Sequence, residues 1–265
     1  MIVTANGARL RVPMKGPVDA PAIVFLHAFP LHGGMWAGQV AALQEEFRVI
    51  VPDFRGFGGS EQGDGVYAMD FWADDLFALL DSKELGLAGK PVAACGLSMG
   101  GYVLLRAVER EPERFAKLIF ADTKASADGD EAKLKRMDAI RKIRKEGPEG
   151  FAAGFADGAL GATTKAQHPK IAGIVREMVA SNPAAGMIGA QMAMAARTDT
   201  TASLAKIKCP TLVIVGDEDT LTPPAVNQEI ADKVPGARLV TLKGAGHLTA
   251  LEDPEGFDRA LKSVL

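Results

Sequence analysis

The stretch GLSMG, residues 96–100, lies between an apolar run, residues 91–95 (PVAAC), and a helix-like run, residues 101–109 (GYVLLRAVE). A G-x-S-x-G sequence between a strand and a helix is typical of a nucleophile elbow, a sharp turn that exposes the serine Oγ. The turn strains the backbone of Ser98, and only small residues fit at the flanking glycine positions. The N–H of Met99 then opens a helix, where unpaired amides can stabilise an oxyanion. An ordinary strand-to-helix turn can have the same pattern, so other parts of the sequence are needed to distinguish it from a nucleophile elbow.

Short apolar runs of four or five residues recur along the chain. Continuous apolar character suits parallel strands that are covered on both faces. Helical stretches lie between most of these runs, which predicts an α/β fold with a mostly parallel central sheet flanked by helices. The runs are residues 23–26, 48–51, 92–95, 118–121, 211–215 and 238–242, and the clearest helical stretches are residues 69–85, 101–109 and 225–234. A hairpin with Asn6-Gly7 at its turn precedes them.

One long stretch breaks the alternation, because no convincing strand lies between residues 121 and 211. Its patterns predict four helices, the first of which is amphipathic and stopped by Gly147-Pro148. The predicted helices are residues 130–146, 151–160, 170–180 and 183–196. We therefore expect residues 1–122 and 206–265 to form the core and residues 123–205 to form a helical cap over the active edge of the sheet.

Composition narrows the classes of partner. The net charge is −3, with both signs mixed along the chain, so neither nucleic acid nor an anionic membrane is an expected partner. No apolar run approaches the length of a membrane span or signal peptide, which favours a cytoplasmic protein. Cys95 and Cys209 are expected to be buried, unpaired and apolar, and no residues have metal-ligand spacing. Oligomeric state cannot be inferred from these patterns.

Two loops at neighbouring strand ends add candidate groups. In the loop HAFP, the N–H of Phe29 is positioned to be a second oxyanion donor. His27 is expected to be a structural hydrogen-bonding residue, although it and His32 are the other histidines that could act as a base. In the loop PDFRGFGGS, Asp53 and Arg55 are expected to form a charged pair that braces the turn. Its glycine spacing matches no nucleotide-binding motif.

An acid and a base follow the last two predicted strands. The segment GDEDTLTP contains carboxylates that could orient an imidazole, and GAGHL carries His247 in a glycine-rich loop. The order of serine, acid and histidine along the chain accompanies this kind of elbow. Asp217 and Asp219 both follow the same strand, and Asp122 ends the preceding one. Three carboxylates are therefore candidates for the acid that would support His247 and Ser98.

The segments HAFPLHGGMW, DFRGFGGS, GLSMGG, GDEDTLTPP and GAGH, in this order, resemble the α/β-hydrolase fold family over nearly the whole chain. The chain is most similar to small, cofactor-free esterases related to 3-oxoadipate enol-lactonases and non-haem haloperoxidases (perhydrolases). This resemblance implies that Ser98 is the nucleophile, His247 the base and Asp219 the acid. It also implies that the amides of Phe29 and Met99 form the oxyanion hole.

The match has one departure, since Ala28 stands where the family commonly has glycine, and its methyl group could tilt the Phe29 amide. Serine at position 98 argues against the haloalkane dehalogenases and epoxide hydrolases of this fold, which use aspartate there. The resemblance implies no cofactor and no metal.

We therefore expect a serine esterase that cleaves carboxylic esters of short to medium acyl chain length through an acyl-enzyme, in an enclosed apolar pocket. The expected partner is a small-molecule ester or lactone. An enol-lactonase, a perhydrolase or a C–C bond hydrolase would use the same triad. A non-catalytic ligand-binding protein of this fold is the alternative from another class.

Overall fold

The computed structural model describes residues 1–265, and the chain begins with a two-stranded antiparallel hairpin. Its strands are β1 (Ile2–Ala5) and β2 (Ala8–Arg11), with Ala5 opposite Ala8. Asn6 and Gly7 have φ values of 47° and 75°. Two successive left-handed residues are what a type I′ hairpin turn requires, which explains the Asn-Gly dipeptide.

A seven-stranded sheet forms the centre of the fold. Its strands are β3 (Met14–Lys15), β4 (Ala22–Leu26), β5 (Arg48–Ile50), β6 (Val92–Leu97), β7 (Phe115–Ala121), β8 (Thr211–Gly216) and β9 (Arg238–Leu242). They lie in the order β3-β5-β4-β6-β7-β8-β9, and every pairing is parallel except that of β3 with β5. All six predicted strand runs are present, and the short edge strand β3 was not predicted.

Helices cover the sheet, as the α/β pattern predicts. They are α1 (Ala37–Leu43), α2 (Met69–Leu80), α3 (Met99–Arg110), α4 (Asp130–Ala159), α5 (Ala162–Gln167), α6 (Lys170–Ala180), α7 (Ala184–Ala196), α8 (Pro224–Lys233), α9 (Thr249–Glu252) and α10 (Pro254–Lys262). The central strands β6 and β8 are buried along their whole length, as strands covered on both faces must be. None of the helices combines the length and the apolar character that a membrane crossing requires.

Helix α2 ends five residues earlier than the sequence predicts. The Ser82 hydroxyl donates to the carbonyl of Leu79 at 2.7 Å and accepts from the N–H of Leu85 at 3.3 Å. These two hydrogen bonds form a non-helical turn after Leu80, so the helix does not continue. Leu85 is nevertheless buried, so its apolar character was misattributed to a helix face.

Helices α4 to α7 lie between β7 and β8, where the sequence predicts helices only. The first of them, α4, bends at Gly147, whose φ of 73° is left-handed, and continues after Pro148. The predicted stop is therefore a sharp kink between two helical stretches. Helices α6 and α7 both pack against α4.

The side chain of Asn182, between α6 and α7, ties this helical segment to two loops at the sheet edge. Its Nδ2 donates to the carbonyl of Pro30 at 2.7 Å, and its Oδ1 accepts from the N–H of Gly58 at 2.7 Å. Asn182 is buried, so both halves of its amide are satisfied within the protein.

Two sequence expectations were wrong, one about an ion pair and one about the burial of a cysteine. Asp53 and Arg55 do not pair with each other: Asp53 pairs with Arg11 at 3.1 Å, and the Arg55 guanidinium makes two 2.6 Å hydrogen bonds to Asp75 in α2. The two charges therefore hold the loop after β5 to two different elements, β2 and α2. Cys95 is buried as expected, but Cys209 precedes β8 and is only half-buried.

Candidate active site

Ser98 occupies a strained turn between β6 and α3. Its φ of 52° and ψ of −112° lie outside the regions that non-glycine residues normally adopt. The turn is crowded: a Cβ on Gly96 would come within 2.4 Å of the Gly100 carbonyl oxygen, and a Cβ on Gly100 within 2.2 Å of the Leu26 oxygen. Glycine is therefore required at both positions, as the motif predicts.

A line of two hydrogen bonds joins the three residues that the sequence singles out. His247 Nε2 lies 2.8 Å from Ser98 Oγ, and His247 Nδ1 lies 2.9 Å from Asp219 Oδ2. All three residues are buried. An ionised carboxylate only accepts hydrogen bonds, so Nδ1 carries the imidazole proton and Nε2 is free to accept from the serine hydroxyl.

Asp219 is held by its own loop as well as by His247. Its Oδ1 accepts from the N–H groups of Leu221 and Thr222 at 2.8 and 2.9 Å, and Oδ2 accepts from the Thr222 hydroxyl at 2.7 Å. Burial raises the pKa of the Asp219 carboxyl, but His247 and the Thr222 hydrogen bonds outweigh burial and lower that pKa to about 2. Asp219 is therefore ionised at neutral pH.

The other two candidate carboxylates accept hydrogen bonds from backbone N–H groups. Asp122 accepts from the N–H of Gly216 at 3.1 Å and from the N–H of Thr249 at 3.3 Å, and it is fully buried. Burial and the neighbouring charge of Asp219 raise its pKa well above the ordinary value. Asp217 accepts from the N–H of Gly244 at 2.7 Å. Neither carboxylate hydrogen-bonds to the His247 ring.

The alternative histidines are both engaged in local structure. His27 Nε2 accepts from the N–H of Phe54 at 3.1 Å, and its Nδ1 lies 3.0 Å from the Ala28 carbonyl oxygen. His32 Nδ1 accepts from the N–H of Gly34 at 3.0 Å. His27 thus ties the loop after β4 to the loop after β5, and its structural role matches the expectation.

Two amides are candidates for binding an oxyanion beside Ser98. Met99 is the first residue of α3, so its N–H has no carbonyl one turn earlier in the helix. The N–H of Phe29 donates no hydrogen bond to backbone or side chain. Phe29 lines the same cavity as Ser98.

A cavity of about 290 Å³ opens from Ser98 and His247 towards the helices between β7 and β8. Half of its sixteen lining residues are hydrophobic. The rings of Phe151 and Phe155 stack 6.1 Å apart, and each lies edge-on to Phe29 at 6.3 Å between ring centroids. This aromatic wall fits the expected apolar pocket.

The remaining lining does not fit that expectation, because it carries a partly buried group of charges. The Asp128 carboxylate pairs with Lys124 at 3.1 Å, with Arg197 at 2.9 Å and with Nε of Arg136. Burial raises the pKa of Asp128, but these cations outweigh burial and hold the pKa well below its usual range. Three cations thus surround one anion. Lys124 and Arg136 line the cavity, so this wall is electropositive.

No three His, Cys, Asp or Glu side chains are grouped so that they could hold a metal ion. The sequence analysis assigns no role to Lys124, Asp128 or Arg136, because their ion pairs around Asp128 form only in the folded chain. The spacing of Lys124 and Asp128 by four residues, with Arg136 eight residues further, was the available signal.

Comparison with known proteins gives consistent matches. A family model described as alpha/beta hydrolase fold matches residues 21–254. The 3-oxoadipate enol-lactonase 2 of Acinetobacter baylyi is 29% identical over 99% of this chain and 95% of its own. A thermophilic esterase from Thermogutta terrifontis, solved with malate bound, is 36% identical, with a TM-score of 0.92 over 99% of this chain and 96% of its own. The enol-lactonase from Burkholderia xenovorans LB400 is 29% identical, with a TM-score of 0.90 over 100% and 99%.

The burial of His27 predicts a pH dependence of stability. Burial lowers the pKa of this imidazole to about 4. Between that value and the unfolded pKa of about 6.5, the unfolded chain binds a proton that the folded protein does not bind. The free energy of unfolding should therefore fall as the pH drops through this window, by up to about 3 kcal/mol from this residue.

Urea unfolding between pH 7 and pH 4 measures this effect. The control is His27→Gln, whose side-chain oxygen can still accept from the Phe54 N–H but does not titrate. The variant should lose less stability over the window than the wild type. Equal losses in both proteins would contradict the assignment.

Proposed function

This chain belongs to the α/β-hydrolase fold family, and from this premise we propose that it hydrolyses carboxylic esters through an acyl-enzyme intermediate. The observation that carries the proposal is the hydrogen-bonded line from Asp219 through His247 to Ser98, at 2.9 and 2.8 Å, which ends in the wall of a cavity. A nucleophile, a base and an orienting acid within hydrogen-bond reach are the signature of nucleophilic catalysis.

In the proposed mechanism, Ser98 Oγ attacks the ester carbonyl while His247 Nε2 takes its proton. Asp219 stabilises the imidazolium that forms and keeps the imidazole in the tautomer with its proton on Nδ1. His247 then gives the proton to the leaving alcohol, which departs and leaves the acyl group on Ser98. A water molecule, activated by the same histidine, attacks the acyl-enzyme, and collapse of the second tetrahedral intermediate releases the acid and restores Ser98.

The amides of Met99 and Phe29 are proposed to bind the oxyanion of both tetrahedral intermediates. Such a donor contributes roughly 3–4 kcal/mol to lowering the barrier. The Met99 amide is supported by the position of that residue at the start of α3. The Phe29 amide is supported by its lack of any other partner and by the contact of His27 Nδ1 with the carbonyl of Ala28, which holds the loop beside it.

The cavity supports acyl groups of short to medium length. Its volume of about 290 Å³ lies just below the range of roughly 300–1,000 Å³ found for ligand pockets. The aromatic wall of Phe29, Phe151 and Phe155 suits an apolar acyl chain. We propose that residues 123–205 act as a cap that excludes water from the bond being cleaved.

A series of p-nitrophenyl esters from acetate to palmitate tests this function. We expect activity to peak at or below octanoate, because a longer chain exceeds the cavity. Ser98→Ala should remain folded and lose at least about a thousandfold in kcat, since the members of a triad act as a unit. Near-normal turnover in Ser98→Ala would exclude the serine mechanism. Slow labelling of the wild type by a phosphonate probe would instead favour a binding protein.

The choice of acid is tested by comparing three carboxylates. Asp219→Asn should lower kcat by up to about ten-thousandfold, because an amide at this position favours the wrong imidazole tautomer. Asp217→Asn and Asp122→Asn serve as matched controls, since both carboxylates accept backbone N–H groups and do not hydrogen-bond to the His247 ring. The assignment fails if either control is the crippling change while Asp219→Asn is mild.

A second candidate, hydrolysis of an enol-lactone that carries a carboxylate, is favoured by the electropositive wall of the cavity. Lys124 and Arg136 outnumber Asp128 there, and an anionic group on the substrate would balance them. The names of the enol-lactonase relative and of the malate-bound esterase both refer to dicarboxylic acids. The same triad would open a lactone ring, because a lactone is an intramolecular ester.

Paired substrates separate the two candidates. We expect Lys124→Met to lower kcat/KM by about tenfold or more, the effect of one charge-assisted contact of about 1.5–3 kcal/mol, for an ester whose acyl chain ends in a carboxylate. The neutral ester of equal chain length should change little. Lys133→Met, which removes the same charge from an exposed site outside the cavity lining, is the control. Equal losses for both esters would exclude the anionic substrate.

A further inference from the structure

Glu252 holds the backbone on both sides of His247. Its Oε2 accepts from the N–H of Gly246 at 2.9 Å, and its Oε1 accepts from the N–H of Leu248 at 2.9 Å. Glu252 ends the short helix α9 and is buried. One carboxylate therefore brackets the histidine from the residue before it and the residue after it.

The same carboxylate also reaches the helical segment between β7 and β8. Glu252 Oε2 accepts a further hydrogen bond from the N–H of Gly161, again at 2.9 Å. Gly161 lies in the short connection between α4 and α5. The N–H of His247 itself donates to the carbonyl of Ala159 at 2.8 Å. Three consecutive amides of the histidine loop are thus fixed by Glu252 and by residues 159–161.

The two backbones are in direct contact at this point. A Cβ on Gly246 would lie 2.3 Å from the nitrogen of Gly161, and a Cβ on Gly161 would lie 2.9 Å from the nitrogen of Gly246. Glycine at both positions is what permits this approach. A shift of residues 159–161 would therefore be transmitted to the histidine loop rather than absorbed by a gap.

We propose that Glu252 is a positioning residue that couples the seating of residues 159–161 to the placement of the His247 imidazole. This inference rests on the proposed function, because it concerns the base of that reaction. Under this proposal, residues 159–161 help to set the geometry of proton transfer, while the helical segment between β7 and β8 as a whole encloses the substrate.

The size of the effect follows from the geometry that proton transfer needs. A displacement of about 1 Å in a reacting group costs on the order of a hundredfold in rate. A histidine in a loop rich in glycine has little local restraint of its own, so its position depends on outside contacts. Glu252 does not line the cavity, so its removal should act on kcat and leave substrate binding nearly unchanged.

The test compares Glu252→Gln with the control Asp253→Asn. Glutamine keeps the size of the side chain but replaces one acceptor oxygen with an NH₂ group that opposes the backbone donors. Asp253 is the neighbouring acidic residue, and its carboxylate accepts from the N–H of Gly256 at the start of α10, away from the histidine. We expect kcat for p-nitrophenyl butyrate to fall at least about tenfold in Glu252→Gln, with KM within about threefold. Asp253→Asn should keep its kcat.

Proton NMR of the low-field His247 Nδ1–H signal gives a readout that does not depend on turnover. This signal should shift or broaden in Glu252→Gln and stay in place in Asp253→Asn. If the wild type shows the signal but hydrolyses no ester, the proposed function fails while the coupling can still be judged from the spectrum. An unchanged signal and an unchanged kcat in a folded Glu252→Gln overturn the inference.

A second variant approaches the same contact from the other side. Gly161→Ala leaves Glu252 intact but places a methyl group against Gly246 and the Glu218 carboxylate, which forces the two segments apart. It should reproduce the fall in kcat at nearly constant KM and the change in the His247 signal. If Glu252→Gln does not fold, this variant decides the question, and wild-type kcat in a folded Gly161→Ala overturns the coupling.

Discussion

The left-handed backbone of Ser98 is the constraint on which the site depends. A non-glycine residue held in such a conformation costs on the order of 1–3 kcal/mol, which the surroundings must offset. The N–H of Ser98 donates to the carbonyl of Ala121 in β7, and its carbonyl accepts from the Thr123 hydroxyl and from the N–H of Tyr102. The turn is therefore stabilised by the neighbouring strand and by the helix that it starts. This one turn presents Oγ to the cavity and leaves the amide at the start of that helix unpaired.

Much of the framework could be predicted because it depends on local patterns. Continuous apolar runs mark the buried parallel strands, and glycine at positions 96 and 100 marks a turn in which a Cβ would strike backbone. The order of serine, aspartate and histidine follows from the order of the strands, since each residue lies in the loop that follows a strand: Ser98 after β6, Asp219 after β8 and His247 after β9. The end of α2 was predicted too late in the chain, because the hydrogen bond from the Ser82 hydroxyl to the Leu79 carbonyl forms a turn where the helix would otherwise continue.

Contacts between distant parts of the chain could not be predicted in the same way. Asp217 and Asp219 are two residues apart and follow the same strand, yet only Asp219 reaches the imidazole, because the loop turns its side chain inward with three hydrogen bonds. Asp53 and Arg55 likewise pair with partners from β2 and α2 that local sequence does not specify. The group of charges around Asp128 is likewise assembled from distant residues, because Arg197, some sixty residues beyond Arg136, pairs with the same carboxylate.

Because the Asn182 amide both donates and accepts a hydrogen bond, it limits the exchange of helical segments between members of this fold during evolution. Its amide nitrogen serves the loop after β4 and its oxygen serves the loop after β5, so an aspartate or a leucine there would leave a buried group unsatisfied. A helical segment inherited from another member of the family would need to bring a side chain with both a donor and an acceptor to this corner. Sequence exchange within the family is therefore restricted at Asn182 more than on the outer faces of the same helices.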